Sequence, residues 1–349
     1  MTLGEIETPA AVVDADRLER NLSLWQRHCD RHGLANRPHV KTHRCVEIAH
    51  RQLALGAIGI TCQKLSEAET MADAGCTDIL VPFNIVGAAK LDRLRGLLER
   101  VTLAVSVDDE SLVAGLARAA AEAPRRLGVL VDCDTGLGRT GVTSPEAAAD
   151  LAVAVSRHES LRFDGFLTYP VLDGARQFLV AAVADAKNRG LDPAVVSAGG
   201  TSSMWESGDL RPTVTEYRAG LYAFHDRMSV AAEAASLDDV ALTVHATVVS
   251  RPAPDRAVLD AGSKALTSDT GPDPGFGLVL EAPSSPIVKL AEEHAYVELA
   301  PDDELELGQR VRIVPNHACV VVNLYDELAI TRDGQLEATW RVAARGRSR

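Results

Sequence analysis

Arg37-Pro38-His39-Val40-Lys41-Thr42-His43-Arg44 closes a short apolar–polar run on a single lysine and passes at once into a helix-like segment. The same succession, a β-like run followed by a helical or turn stretch, recurs down the chain. After residues 39–41 the runs fall at 58–61, 79–82, 103–107, 127–132, 163–169, 194–197 and 217–224. Amphipathic stretches at 66–74, 88–99, 111–123 and 145–157 separate them. Eight β-α repeats over roughly 200 residues are what a closed (β/α)8 barrel of the α/β class requires. No G-x-G-x-x-G follows the first run, which argues against a dinucleotide-binding sheet.

Outside the repeats the texture differs. Ala10-Ala11-Val12-Val13 reads as a strand, and Leu18, Leu22 and Trp25 stand at helical spacing within 16–32. Beyond about residue 235, short alternating runs at 240–249, 257–260, 277–281, 295–299, 310–314 and 320–324 are punctuated by proline and glycine. They predict a second, all-β domain. The expected division is a barrel over 14–235 and a β domain over 236–349 that also takes the strand within 1–13. The basic end, 345–349, is expected to be a disordered tail.

The chain has 349 residues, 46% hydrophobic and 24% charged, enough to bury a core. A net charge of −13 argues against nucleic acid as a partner, because phosphate neutralisation needs a basic surface. No apolar run has the length of a membrane span, and the first residues lack a basic signal-peptide region, so a cytoplasmic protein is expected. Cys29, Cys45, Cys62, Cys76, Cys133 and Cys319 lie far apart in sequence and are expected as free thiols.

Chemistry in such barrels sits at the C-terminal ends of the strands. Those ends carry Lys41, the Asp132–Gly141 segment, Thr168-Tyr169, Ser197-Ala198-Gly199-Gly200-Thr201-Ser202-Ser203 and Glu216-Tyr217-Arg218-Ala219-Gly220-Leu221-Tyr222. An amine crowded by cations and partly desolvated gives up its proton more readily, as Schiff-base formation requires. The glycine-rich loop after the seventh run can cradle a phosphate on backbone N–H groups. A reactive lysine, a phosphate cup and an arginine at one barrel mouth are the parts a pyridoxal phosphate enzyme needs.

On these residues the sequence resembles the fold-type III pyridoxal phosphate enzymes with an alanine racemase-like barrel, and among them the D-threonine aldolase and D-serine dehydratase group. The matching segments are Pro38-His39-Val40-Lys41-Thr42-His43, Asp132-x-x-x-Gly136-x-x-Arg139-x-Gly141, Glu216-x-Arg218-x-Gly220-x-Tyr222 and Pro315-Asn316-His317-Ala318-Cys319. The resemblance implies that Lys41 holds the cofactor and moves the Cα proton, with His39 and Arg218 beside it. Arg139 would approach the cofactor's phenolic oxygen, and Tyr169 would stand near the reacting centre. Gly199, Gly200 and Thr201 would grip the phosphate, helped by Gly220, Leu221 and Tyr222. The family's Gly-His pair after this tyrosine is replaced here by Pro170-Val171-Leu172-Asp173-Gly174.

His317-x-Cys319 completes the pattern. On a strand, residues i and i+2 share a face, so an imidazole and a thiolate would converge on one ion. Two protein ligands suit a catalytic rather than a structural metal. The resemblance implies a divalent ion here, and a thiolate ligand favours Zn²⁺ over the alternatives Mn²⁺ and Mg²⁺. The expected activity is then a metal-assisted lyase on small β-hydroxy-D-amino acids, by retro-aldol cleavage or by dehydration, in a homodimer. A racemase or a non-catalytic cofactor carrier is the alternative; the metal pair speaks against the first and the β domain against the second. His39, His43 and His225 are candidates for proton transfer. His28, His32, His50 and His158 are expected to be solvated, and Cys133 to pack in the core.

Overall fold

The computed structural model of the chain describes residues 3–271 and 273–349. Its chain divides into two compact units. One holds residues 25–41, 48–220 and 347–349; the other holds the segment ending at Leu24, then 42–47 and 221–346. The chain opens with β1 (Ala10–Asp14) and α1 (Ala15–His32), whose Leu18, Leu22, Trp25 and Cys29 fall on one buried stripe.

The first unit is built on eight parallel strands. They are β2 (Ala35–Asn36), β3 (Ile60–Thr61), β4 (Asp78–Val81), β5 (Thr102–Val107), β6 (Leu127–Cys133), β7 (Leu161–Thr168), β8 (Val195–Gly199) and β9 (Glu216–Arg218). Helices α2 (Val46–Leu55), α3 (Leu65–Asp73), α4 (Ala88–Leu98), α5 (Glu110–Ala120), α6 (Pro145–Ser156) and α7 (Ala175–Asn188) alternate with them. The strand order β2-β9-β8-β7-β6-β5-β4-β3 is completed by a parallel bridge between His39 and Thr61, where the Thr61 N–H donates to the Pro38 carbonyl at 2.8 Å. That closes the ring and leaves the short strands no free edge. Leu80, Leu130 and Leu167, packed with Ala104 and Val195, form an apolar layer in which successive strands contribute one side chain each. On β9 the alternation is visible directly: Tyr217 lies edge-on to Trp25 of α1 on the helix side, so Glu216 and Arg218 point into the barrel.

The second unit continues with α8 (Arg227–Ala231), β10 (Leu242–Ala253), β11 (Arg256–Leu259), α9 (Ser263–Leu266), β12 (Leu278–Val279), β13 (Ile287–Leu290), β14 (Ala295–Glu298) and β15 (Arg310–Val314). It ends with α10 (Ala318–Val322), β16 (Glu327–Arg332) and β17 (Gln335–Arg341). Its sheet runs β13-β14-β11-β10-β1-β16-β17, with β15 pairing β10 and β12. The N-terminal strand β1 thus lies between β10, antiparallel, and β16, parallel. A core of buried aliphatics that includes Val244, Val248, Leu259, Val297 and Ile313 holds these strands together.

Four local expectations are corrected. Lys41 does not end a strand: β2 stops at Asn36 and Lys41 sits in a 3-10 turn, Val40–Thr42. The eighth run is a strand only over Glu216–Arg218, after which Leu221–Ala223 turns as a 3-10 segment. Residues 320–324, read as a strand from their valines, belong mostly to helix α10. The buried Asp226 carboxylate accepts the Ala318 N–H at 2.9 Å, and this tertiary cap overrides β propensity. The basic end is ordered, since the Arg349 carbonyl accepts the Ser66 N–H at 2.9 Å and its hydroxyl at 2.8 Å.

Candidate active site

Lys41 is half-buried, and its Nζ lies 5.8 Å from the centroid of the Tyr169 ring. The Arg139 guanidinium lies 5.0 Å from the same centroid, so two cations stand against one aromatic ring at the barrel mouth. Arg139 is carried by the loop that follows β6. Asp134 ties that loop by accepting the Gly136 and Gly138 N–H groups, and the Gly141 N–H donates to Asp108 Oδ2 at 3.0 Å.

His39 lies beside the lysine and is buried. Its Nε2 meets Gln63 Oε1 at 3.1 Å, an amide oxygen that can only accept, so Nε2 carries the proton. Nδ1 is left buried without a hydrogen bond of normal geometry. Burial above all, and then the charges of Lys41 and Arg218, hold the imidazole well below its ordinary pKa and therefore neutral.

Arg218 is 5% exposed and bound on one side only. Nε donates to Ser197 Oγ at 2.8 Å, and Nη2 donates to the Thr168 carbonyl at 2.8 Å. Nη1 has no hydrogen-bond partner among the described residues. Burial opposes the charge, while Glu216 and Asp132 offset part of that cost.

Behind β8, Gly199 and Gly200 bring the backbone close to Tyr169. A Cβ on Gly199 would lie 3.2 Å from the Arg218 carbonyl and 3.6 Å from the tyrosine ring; Gly200 holds φ +128°. The Tyr217 hydroxyl donates to the Gly200 carbonyl at 2.9 Å and fixes the loop from beneath. Among the described residues, the N–H groups of Thr201, Ser202 and Ser203 make no backbone hydrogen bond. Donors left open in a glycine loop fit an anionic group such as a phosphate. Lysine, open arginine edge and N–H cradle together match the functional groups of pyridoxal phosphate.

In the second unit, His317 and Cys319 do converge, but not as alternate residues of a strand. His317 is the N-cap of α10, with φ −140° and ψ 100°, and Cys319 lies in the first turn. The neighbouring Cys319 above all, then Asp226 and Asp269, outweigh burial and push the imidazole up to about 9. Nδ1 of His317 meets Asp269 Oδ2 at 3.1 Å, and Cys319 Sγ donates to Thr42 Oγ1 at 3.3 Å; Thr42 follows Lys41 in the chain. No group of three or more His, Cys, Asp or Glu side chains among the described residues is arranged around a common metal position. A soft N/S pair with a carboxylate behind the imidazole fits a metal with open positions, the donor set that borderline ions prefer.

Other candidates are placed less centrally. Tyr222 is buried at the 3-10 turn after Gly220, and Leu221 is half-buried. His43 is buried with Nδ1 at 3.1 Å from the Cys45 backbone, and His225 is buried with its pKa lowered to about 4, chiefly by burial. His28 is not solvated: it stacks on Trp25 and meets Ser207 Oγ at 3.0 Å. Cys133 is core, its thiol pushed well up by burial. The sequence reading missed Asp269, Asp226 and Gln63, and it placed Ser197 and Thr168 at strand ends without giving them a role. Asp269 and Gln63 lie far in sequence from the residues they contact, His317 and His39, and only the fold brings them together.

Residues 13–228 match the family described as "Alanine racemase, N-terminal domain". The chain belongs to that family. This alanine racemase-type barrel is followed by a match to a "Putative serine dehydratase domain" over residues 241–331. The chain is 36% identical over 364 residues to a D-threonine aldolase of an Arthrobacter species, covering 99% of this chain and 95% of that one. It is 33% identical to a D-threo-3-hydroxyaspartate dehydratase of a Delftia species, over 97% of this chain and 98% of the other. The crystal structure of a D-threonine aldolase from Filomicrobium marinum superposes on the alanine racemase-type chain with a TM-score of 0.91, at 33% identity, covering 100% of this chain and 98% of that one. Among the described residues no helix is long and apolar enough to cross a membrane.

Proposed function

We propose that the protein is a pyridoxal 5'-phosphate- and divalent-metal-dependent lyase acting on β-hydroxy-D-amino acids. The observation that carries this reading is the barrel mouth, where Lys41, Arg139, Tyr169 and the open edge of Arg218 meet the glycine loop at Gly199 and Gly200. Retro-aldol cleavage is favoured over dehydration because the relative at 36% identity and the solved structure with a TM-score of 0.91 are both named D-threonine aldolases.

Lys41 would bind the cofactor through its amine and shuttle the proton at Cα. Arg139 would hold an anionic oxygen of the cofactor, and Arg218 a fixed positive charge through its unspent Nη1. Gly199, Gly200 and Thr201 would take the phosphate, with Gly220, Leu221 and Tyr222 following in the chain as further contacts. His39, buried and held neutral, carries no charge to repel the lysine. His317 and Cys319 would hold the metal, with Asp269 fixing the imidazole so that Nε2 faces the ion. When bound, the cofactor supplies an electron sink at Cα and the metal polarises the substrate's β-hydroxyl. Zn²⁺ as that metal, a homodimer and a cytoplasmic setting belong to the same proposal.

The test is a product assay on the purified, cofactor-loaded protein with D-threonine, D-serine and their L-enantiomers, each with and without a chelator. Glycine and acetaldehyde from D-threonine alone, lost with chelator, is the expected outcome. Pyruvate and ammonia from D-serine would move the reading to dehydration. Equal turnover of both enantiomers with no cleavage product would establish racemisation instead and overturn it.

A further inference from the structure

We propose that Ser197 and Glu216 are positioning residues which hold the Arg218 guanidinium, and with it a fixed charge, against the cofactor. The inference rests on the reading that the barrel mouth takes pyridoxal phosphate.

Ser197 and Glu216 are direct neighbours across β8 and β9, and Gly199 and Arg218 are the next pair toward the mouth. All share the inward face, since Tyr217 between them points out to Trp25. Ser197 Oγ accepts from Arg218 Nε at 2.8 Å, so its own proton must go to Glu216 Oε1, 2.6 Å away. The hydroxyl therefore has one orientation. The other carboxylate oxygen of Glu216 accepts from Arg37 Nε at 2.7 Å, and Arg37 passes on to Asp78 at the start of β4. A polar line thus runs through the barrel from Asp78 at one rim to Arg218 at the other.

The indirect link matters. A carboxylate in contact with Arg218 would form a two-bond fork and consume the guanidinium's donors. Placing Ser197 between them lets Glu216 stabilise the buried charge while Nη1 stays free for a ligand atom. Nη2 donates to the Thr168 carbonyl at 2.8 Å, which keys the same guanidinium to the residue before Tyr169, and more weakly to the Ser197 carbonyl at 3.4 Å, a backbone contact that Ser197→Ala leaves in place.

The test uses the full chain stripped of cofactor, with pyridoxal 5'-phosphate titrated in and followed by its absorption band. Ser197→Ala cuts the link yet leaves the Arg37–Glu216 pair in place; Glu216→Gln removes the charge. The expected result for Ser197→Ala is about tenfold weaker cofactor binding, the effect of one charge-assisted hydrogen bond, with a shifted pH midpoint of the bound cofactor's band. Glu216→Gln shifts the midpoint in the same direction. A role in folding alone would lower Tm and leave that midpoint in place. Wild-type affinity and an unchanged midpoint in Ser197→Ala would overturn the inference while leaving the barrel-mouth reading intact. Failure of the wild-type protein to take up any cofactor would remove both.

Discussion

Gly141 has φ +111°, and a Cβ there would lie 2.4 Å from the Asp134 nitrogen and 2.8 Å from the Cys133 carbonyl carbon. Those contacts are backbone, so no side chain can yield. Gly141→Ala is expected to cost about 1–3 kcal/mol in a urea melt and to loosen the loop that aims Arg139. A melt equal to wild type would mean that the loop tolerates a different path. Among the metal-site residues, Cys319 carries the sharper expectation. Cys319→Ser should lower the affinity for added Zn²⁺ in a chelator competition by at least about tenfold, because a hydroxyl is a poorer ligand than a thiolate for this ion. Zinc held as tightly by the serine variant would exclude Cys319 as a ligand. At this scale the sequence singled out Lys41 by its cationic neighbours, and the resemblance of four motifs added Arg139, Arg218, His317 and Cys319 as expected site residues. What it could not supply was the role of Ser197, which comes from the register of β8 against β9, or Asp269, which a loop folding back brings to His317.

Elements were legible where periodicity is strong. The long helix α1 and strands β5, β6 and β15 fall within a residue or two of their expected places. The misreadings share one cause, tertiary contacts overruling local propensity. Val320-Val321-Val322 is β-branched, yet the carboxylate of Asp226 caps α10 and buries Val321 and Val322. Strands β16 and β17 were not expected at all, the apolar run of β16 being only Leu328-Ala329-Ile330; their ladder completes the sheet beside β1. Strand β10 supplies a pH prediction. Burial, then Arg312 and Arg310, hold His245 at about 4, with Glu281 pulling the other way. In the unfolded chain the ring takes a proton near 6.5. Between those values the unfolded state binds more protons, so stability falls as pH drops from 6.5 toward 4 and is flat below. The loss from this residue is about 3 kcal/mol. Replacing His245 with Gln should remove that part of the acid slope in denaturant titrations across the window. An unaltered slope would show that His245 is solvated in the folded state.

For the whole molecule, the eight parallel strands were expected from the rhythm of the sequence and are present, closed by the His39–Thr61 bridge. Closure explains how strands of two or three residues, such as β2, β3 and β9, persist: each is paired on both sides and faces a packed interior. The division of labour follows the layers. Leu80, Leu130 and Leu167 fill one level of the barrel, and the polar line of Arg37, Glu216, Ser197 and Arg218 runs past it to the mouth. The account's central claim is that this mouth carries pyridoxal phosphate on Lys41. The most direct measurement is borohydride reduction of the cofactor-loaded protein, followed by peptide mapping of the trapped adduct. A single adduct on Lys41, absent from Lys41→Ala, is the predicted result. An adduct spread over Lys64, Lys90, Lys187, Lys264 and Lys289, or retained in full by the Lys41→Ala variant, would contradict it.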